Sequence, residues 1–260
     1  MSGKGRHTKF IVSPRRGEHR TDELVTTILL SENSGHRMKS YGSTSLLSIG
    51  GQTILENQIN AIKSRFINYE VIICGGFDID RVAKFVHNKY RRDNIRVVEN
   101  QMYHHSNGCE SIRLCLNNTT NNNILICNGD LLINSSFLSL VDPSCSHVII
   151  EKKNLPNLEI GVTVNQDGFA ENFCYGIARK WSEVVFLQRI EAINSFRKII
   201  STPDYKTKFL FEALNDLGRI ANHKLKVIEN PTPILKIDNV KTYHYIRKTY
   251  ESTNTKLRIS

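Results

Sequence analysis

Four apolar runs, each too short to be a helix and each closed by a small or polar residue, set what this chain can fold into. They lie at 25–30, 69–74, 95–98 and 123–127. Their β-branched and aliphatic content, without polar alternation, is the pattern of strands buried on both faces. The second run closes on Gly75-Gly76 and the fourth on Asn128-Gly129-Asp130. Between them the period changes. Ile54, Leu55, Gln58, Ile59 and Ile62 mark one helix face, and Val82, Phe85 and Val86 mark another, with Asp78 placed to cap it. A third helix is expected over 111–116. Strands alternating with helices require a largely parallel sheet with right-handed crossovers. The expected fold class is α/β, a three-layer Rossmann-like arrangement with a mixed, mostly parallel sheet.

The second half has a different texture. A strand over 147–151 precedes a hairpin, 160–165 and 169–173, turning at Gln166-Asp167-Gly168. The stretch 181–200 reads as one helix, with Val184, Val185, Leu187, Ile190 and Ile193 on its apolar side. A helix over 208–217, short strands at 225–228 and 233–236, and a basic helix over 240–250 complete the pattern. The domain is expected to span 23–250, between a basic extension at 1–22 and a tail at 251–260.

The net charge of +10 is unevenly distributed. Residues 1–20 carry about +5 and residues 241–260 about +4, which leaves the body close to neutral. A groove-reading nucleic-acid domain concentrates its charge on a folded face. Nucleic acid is therefore expected to bind here, if at all, through the tails. The six cysteines, Cys74, Cys109, Cys115, Cys127, Cys145 and Cys174, show no C-x-x-C pair and no zinc spacing. No apolar run approaches the ~20 residues of a membrane span. A reduced, cytoplasmic setting is the expectation. Nothing in the pattern specifies an oligomer.

Three segments have the residue types that chemistry needs. The loop from Leu30 to Met38, following the first strand, offers backbone amides to phosphate oxygens. Gly35 permits close approach there, and Arg37 has a fork that matches phosphate. Asp130, beyond the fourth strand, reads either as a Mg²⁺ ligand or as a cap or turn residue. Asp238, before the last helix, reads either as a ligand or as an N-cap. In open α/β sheets, ligands sit beyond the carboxyl ends of the strands, where both the loop and Asp130 fall.

Taken in order, these segments resemble the sugar-phosphate and choline-phosphate nucleotidyltransferases, whose fold is that of the nucleotide-diphospho-sugar transferases. The family signature L-A-A-G-x-G-x-R-M, then P-K, then L-L-x-I-x-G-K-P-L-L, reads here as Leu30-Ser31-Glu32-Asn33-Ser34-Gly35-His36-Arg37-Met38, Ser43-Thr44, and Leu46 to Leu55. Asn100 to Tyr103, Asn107 and Ser111 look like the segment near the nucleotide in the choline-phosphate branch. Asn128-Gly129-Asp130 matches the G-D metal site, and Lys236-Ile237-Asp238-Asn239 matches E-I-D-T. The resemblance covers about 25–248.

It implies a Mg²⁺-dependent transfer of a nucleotide from an NTP to a phosphorylated small molecule, a sugar 1-phosphate or choline phosphate, with release of pyrophosphate. Asp130 and Asp238 would hold Mg²⁺, Arg37 and the loop at Ser31, Asn33 and Gly35 would grip phosphates, and Asn107 and Ser111 would lie near the nucleotide. The signature lysine is replaced by Thr44 and its proline by Ser43, while Glu32 stands where the family has alanine. Lys39 is the nearby candidate to replace that lysine. Two other readings follow from these departures. One is a glycosyltransferase on the same fold, using a nucleotide sugar. The other is a catalytically degraded homologue that binds a nucleotide or partner.

Overall fold

The computed structural model describes residues 23–32, 38–154, 159–177 and 179–259. Its first half bears out the alternating pattern. β1 (Val25–Ser31) is followed by a small hairpin of β2 (Ser48–Ile49) and β3 (Gln52–Thr53), then α1 (Ile54–Arg65), β4 (Tyr69–Gly75), α2 (Ile79–Lys89) and β5 (Ile95–Glu99). α3 (Gly108–Leu116), β6 (Asn123–Asn128), β7 (Leu131–Leu132) and α4 (Ser135–Leu138) come next. The second half contains β8 (His147–Asn154), β9 (Ile160–Val164), β10 (Ala170–Tyr175), β11 (Arg179–Gln188), α5 (Ile190–Ile200), α6 (Leu210–Ala221), β12 (Lys226–Asn230), β13 (Leu235–Lys236) and α7 (Val240–Ile259). α7 runs through most of the stretch expected to be a tail.

Among the described residues, nine strands form one mixed sheet. β6, β1, β4 and β5 lie side by side and parallel, while β11 joins β6 antiparallel and carries β8 and β9 on its far edge. Alternate side chains of the parallel strands face opposite layers. Ile28, Ile72 and Ile126 pack with α3, α5 and α6, whereas Leu29, Val71, Ile73 and Leu125 pack with α1, α2 and α4. That makes three layers and explains why these runs lack polar alternation. A smaller cluster of Leu47, Ile49, Ile54, Ile237, Tyr243 and Ile246 binds α7 to the β2–β3 hairpin. No helix among the described residues is long and apolar enough to cross a membrane. All six cysteines are free thiols, four of them buried.

Two expectations are corrected. The stretch 181–200 is not one helix, because its first part is the strand β11. Trp181, Val185 and Leu187 enter one core layer, and Val184 and Phe186 enter the other. A β-branched run buried on both faces mimics helical spacing over a few residues, and tertiary pairing decides the outcome. Asp78 precedes α2 but does not cap it through its side chain. It takes a left-handed φ of 60° and turns Oδ2 toward Ser43 N at 3.2 Å and Arg81 at 2.9 Å.

α1 shows what a satisfied helix start looks like. Thr53 Oγ1 accepts from Glu56 N at 3.1 Å, and Glu56 accepts from Thr53 N at 2.6 Å. This reciprocal cap satisfies two otherwise orphaned amides. Thr53→Ala is expected to lower unfolding free energy by about 1 kcal/mol in urea denaturation; no loss would show that water replaces the cap.

Candidate functional site

The carboxyl ends of β1 and β6 are pressed together by a residue with no side chain. Gly129 N donates to Leu30 O at 2.7 Å, and a Cβ at Gly129 would stand 2.8 Å from that oxygen. Only glycine fits such an approach, so the turn after β6 follows the end of β1 and Asp130 emerges beside it. Gln58 holds the same turn from below. Its Nε2 donates to Asn128 O at 2.8 Å and to Leu131 O at 2.9 Å, and it is fully buried. Its place on the α1 face therefore reflects backbone satisfaction as well as packing.

The last strand then reaches this turn from the far end of the chain. β13 pairs antiparallel with β7, matching Lys236 to Leu131, and Ile237 N donates to Asp130 O at 2.9 Å. Asp130, Lys236 and Asp238 thereby line one cleft of about 460 Å³. A fourth charged group comes from β11, at an irregularity in its pairing with β8 between Trp181 and Val185. Glu183 takes a left-handed φ of 59° there and also lines the cleft. Asn128 Nδ2 donates to Glu183 Oε2.

The electrostatics of this corner are strongly coupled. Lys236 Nζ lies 2.5 Å from Glu183 Oε1 and 4.0 Å from Asp130 Oδ2. Asp130 Oδ1 is buried without a hydrogen-bond partner. Burial pushes the Asp130 carboxyl up to about 7; Lys236 opposes the shift, while Glu183 and Asp238 add to it. Burial alone would lower the Lys236 ammonium, but Asp130, Glu183 and Asp238 together hold it above the ordinary lysine range. The two readings of Asp238 separate on geometry. Asn239 caps α7, its Oδ1 accepting from Thr242 N at 2.9 Å. Asp238 receives Asn239 Nδ2 at 2.7 Å and lines the cleft.

The other anticipated residues divide. Ser31 is buried at the end of β1 and lines the cleft, as does Asn107 at the start of α3. Asn107 spends its side-chain amide on Thr207 O at 2.5 Å. Ser111 is fully buried behind the cleft and accepts from Asn100 Nδ2 at 2.9 Å. Asn33, Gly35 and Arg37 lie outside the described residues, and Lys39 opens the short turn Lys39–Tyr41. Thr44, at the signature-lysine position, is buried and lines the cleft.

Sequence reasoning missed Glu183, whose place depends on a break in strand pairing. It also missed a group of aromatic residues that line the same cleft. Phe209 and Phe211 stack at 5.9 Å between centroids, and Tyr175 meets Phe211 edge-on at 5.5 Å. Trp181 completes this group. The cleft thus lines its space with both charged oxygen and nitrogen groups and flat apolar faces, the composition of a site for a polar ligand with a planar or apolar part.

Known proteins bear on the fold. Residues 50–161 match a family described as a domain of unknown function (DUF6564). No curated protein sequence matches the chain. Among solved structures, the CTP:phosphocholine cytidylyltransferase of Streptococcus pneumoniae superposes with a TM-score of 0.69 at 17% identity, over 86% of this chain and 98% of that one. The inositol-1-phosphate CTP transferase of T. maritima gives 0.66 at 16%, over 86% and 95%. A nucleoside-diphosphate-sugar pyrophosphorylase of Vibrio cholerae gives 0.66 at 12%, over 86% and 99%. The chain has the α/β fold of these nucleotidyltransferases.

Glu32 provides a test of the cleft's interior. It is only 5% exposed, and its Oε2 has no hydrogen-bond partner. Burial raises its pKa, against smaller lowering effects from its own backbone and Ser111. A carboxyl raised in the folded state gives stability that is full below the unfolded pKa and is lost as pH rises through the folded one. Glu32→Gln should therefore raise the melting temperature at about pH 8 and leave it nearly unchanged at about pH 4. Equal effects at both would mean that folding leaves the Glu32 pKa unchanged.

Proposed function

We propose that this protein is a Mg²⁺-dependent nucleotidyltransferase that joins an NTP to a sugar 1-phosphate or choline phosphate and releases pyrophosphate. The observation that most supports it is the meeting of Asp130 and Asp238, distant in sequence, in one cleft at the carboxyl ends of β1 and β6. The ordered motifs from Leu30 to Asn239 and the fold shared with known nucleotidyltransferases support the same reading.

The donor set suits the ion. Mg²⁺ prefers oxygen ligands and is commonly held by one or two carboxylates together with substrate phosphates. Asp130 brings a buried oxygen that has no hydrogen-bond partner among the described residues, and Asp238 lines the same space. In that position the ion would neutralise phosphate charge and orient the α-phosphoryl group.

The chain's own residues supply positioning. Ser31 and the loop after it would approach the phosphates through backbone amides, with Arg37 pairing to the β- and γ-oxygens. The acceptor's phosphate oxygen attacks the α-phosphorus in line; the new P–O bond forms as the bond to the β-phosphate breaks, and pyrophosphate leaves with that electron pair. A phosphate nucleophile is already ionised at neutral pH, so no general base is required. The aromatic group of Tyr175, Phe209 and Phe211 would exclude water and seat the non-phosphate part of a substrate.

Thr44 and Glu32 favour a second reading on the same fold, a site for a nucleotide diphosphate or nucleotide sugar, with or without turnover. Without the signature lysine, the cleft has less charge to spend on a triphosphate. A thermal-shift panel with Mg²⁺ and NTPs, nucleotide diphosphates and nucleotide sugars separates the two, since a ligand at a hundredfold excess over its Kd stabilises by about 2.7 kcal/mol. An Mg²⁺-dependent shift with one NTP supports the transferase, and a shift with diphosphates alone supports the second reading. With the NTP so identified, Asp130→Ala should abolish pyrophosphate release while preserving the fold by circular dichroism. Unchanged turnover in that variant would sink the assignment.

A further inference from the structure

Lys236 is the one group in the acidic corner whose charge has the wrong sign for a metal ligand. Its backbone is fixed by the β7–β13 pairing, opposite Leu131. Its ammonium is 2.5 Å from Glu183 Oε1 and 4.0 Å from Asp130 Oδ2, and its side chain is 31% exposed toward the cleft. Glu183 is held in turn by Asn128. The motif that Lys236 belongs to has glutamate at this position in the family it resembles, so a carboxylate is replaced by a cation. An ammonium here satisfies Glu183 and repels any second cation placed at Asp130.

We infer that Lys236 is the resident counter-ion of this cluster, which keeps a divalent cation off the bare site and is released to phosphate oxygens when a polyphosphate enters. In the empty cleft the ammonium neutralises the corner formed by Glu183, Asp130 and Asp238. When a polyphosphate arrives, its oxygens offer the ammonium a stronger partner, the repulsion the ammonium exerts at Asp130 is relieved, and the cation that accompanies the phosphates can take the Asp130 oxygens. Metal and phosphate then bind with positive coupling, and by linkage each raises the affinity of the other by the same factor. Lys236 would also restore, from the opposite strand, the positive charge that Thr44 no longer supplies. The second half of this inference rests on the phosphate-binding reading above; the counter-ion half does not.

The experiment separates the two halves. Mn²⁺, which reports its free concentration by electron paramagnetic resonance, is titrated alone into the full chain, into Lys236→Met and into the double variant Glu183→Gln/Lys236→Met. Inorganic tripolyphosphate, which carries no base, is titrated by calorimetry in EDTA into the same proteins. Removing the ammonium is expected to tighten Mn²⁺ binding by about tenfold or more in both variants and to weaken tripolyphosphate binding by a similar factor. The double variant carries no unpaired Glu183 charge, so it covers the case in which Lys236→Met fails to fold. Mn²⁺ binding no tighter than in the wild type in either variant would overturn the counter-ion role. Tighter Mn²⁺ with unchanged tripolyphosphate binding would overturn the release to phosphate. If no protein binds tripolyphosphate while Mn²⁺ still tightens, the counter-ion role stands and the phosphate-binding reading fails.

Discussion

The site depends on one hydrogen bond, from Gly129 N to Leu30 O, at 2.7 Å. It is the last rung of the ladder between two neighbouring parallel strands, closing the Leu30–Asn128 pair. Without it, the segment after β6 would leave the sheet in its own direction. With it, Asp130 stands next to Ser31, β7 runs where β13 can pair with it, and Lys236 and Asp238 are delivered to the same cleft. Gln58 reinforces the turn through two backbone carbonyls from a helix on the opposite side. A side chain at Gly129 would push against backbone, which cannot yield as a flexible side chain would.

Charge is arranged against the overall composition. The protein is strongly basic, yet among the described residues its cleft is lined by Glu32, Asp130, Glu159, Glu183 and Asp238 and by one lysine, Lys236. Two of these acids, Asp130 and Glu32, are pushed toward their neutral forms by burial. Such groups are costly to the fold, and they tend to be concentrated where a ligand compensates them. Among the described residues, none of the basic stretch 241–250 lines the cleft.

Much of this was readable from residues. The strands at 25–30, 69–74, 95–98 and 123–127 declared themselves because a buried parallel strand needs an unbroken apolar run. Asp130 and Asp238 stood out because a carboxylate beside such a run serves no packing purpose. What stayed hidden depended on partners far away in sequence. Trp181 to Gln188 has the spacing of a helix face, and only pairing with β6 and β8 makes it a strand. Glu183 enters the cleft through a left-handed backbone at a break in that pairing, which no local pattern encodes. The choice between Asp238 and Asn239 as the cap of α7 was a matter of one residue, below the resolution of capping preference.

The pairing of β7 with β13 carries a consequence for how the protein comes into being. Asp130 is synthesised early, with its half of the parallel sheet, and domains acquire structure from the N-terminal side as the ribosome works at about 5–20 residues per second. The strand that brings Lys236 and Asp238 is made only after β8 to β12, several seconds later. Throughout that interval the nascent chain presents a finished sheet edge and a half-built acidic corner. α7, seated on the β2–β3 hairpin by Tyr243 and Ile246, follows β13 in the chain. The corner of the cleft that holds Lys236 and Asp238 is thus completed only once β13 has been made and has paired with β7.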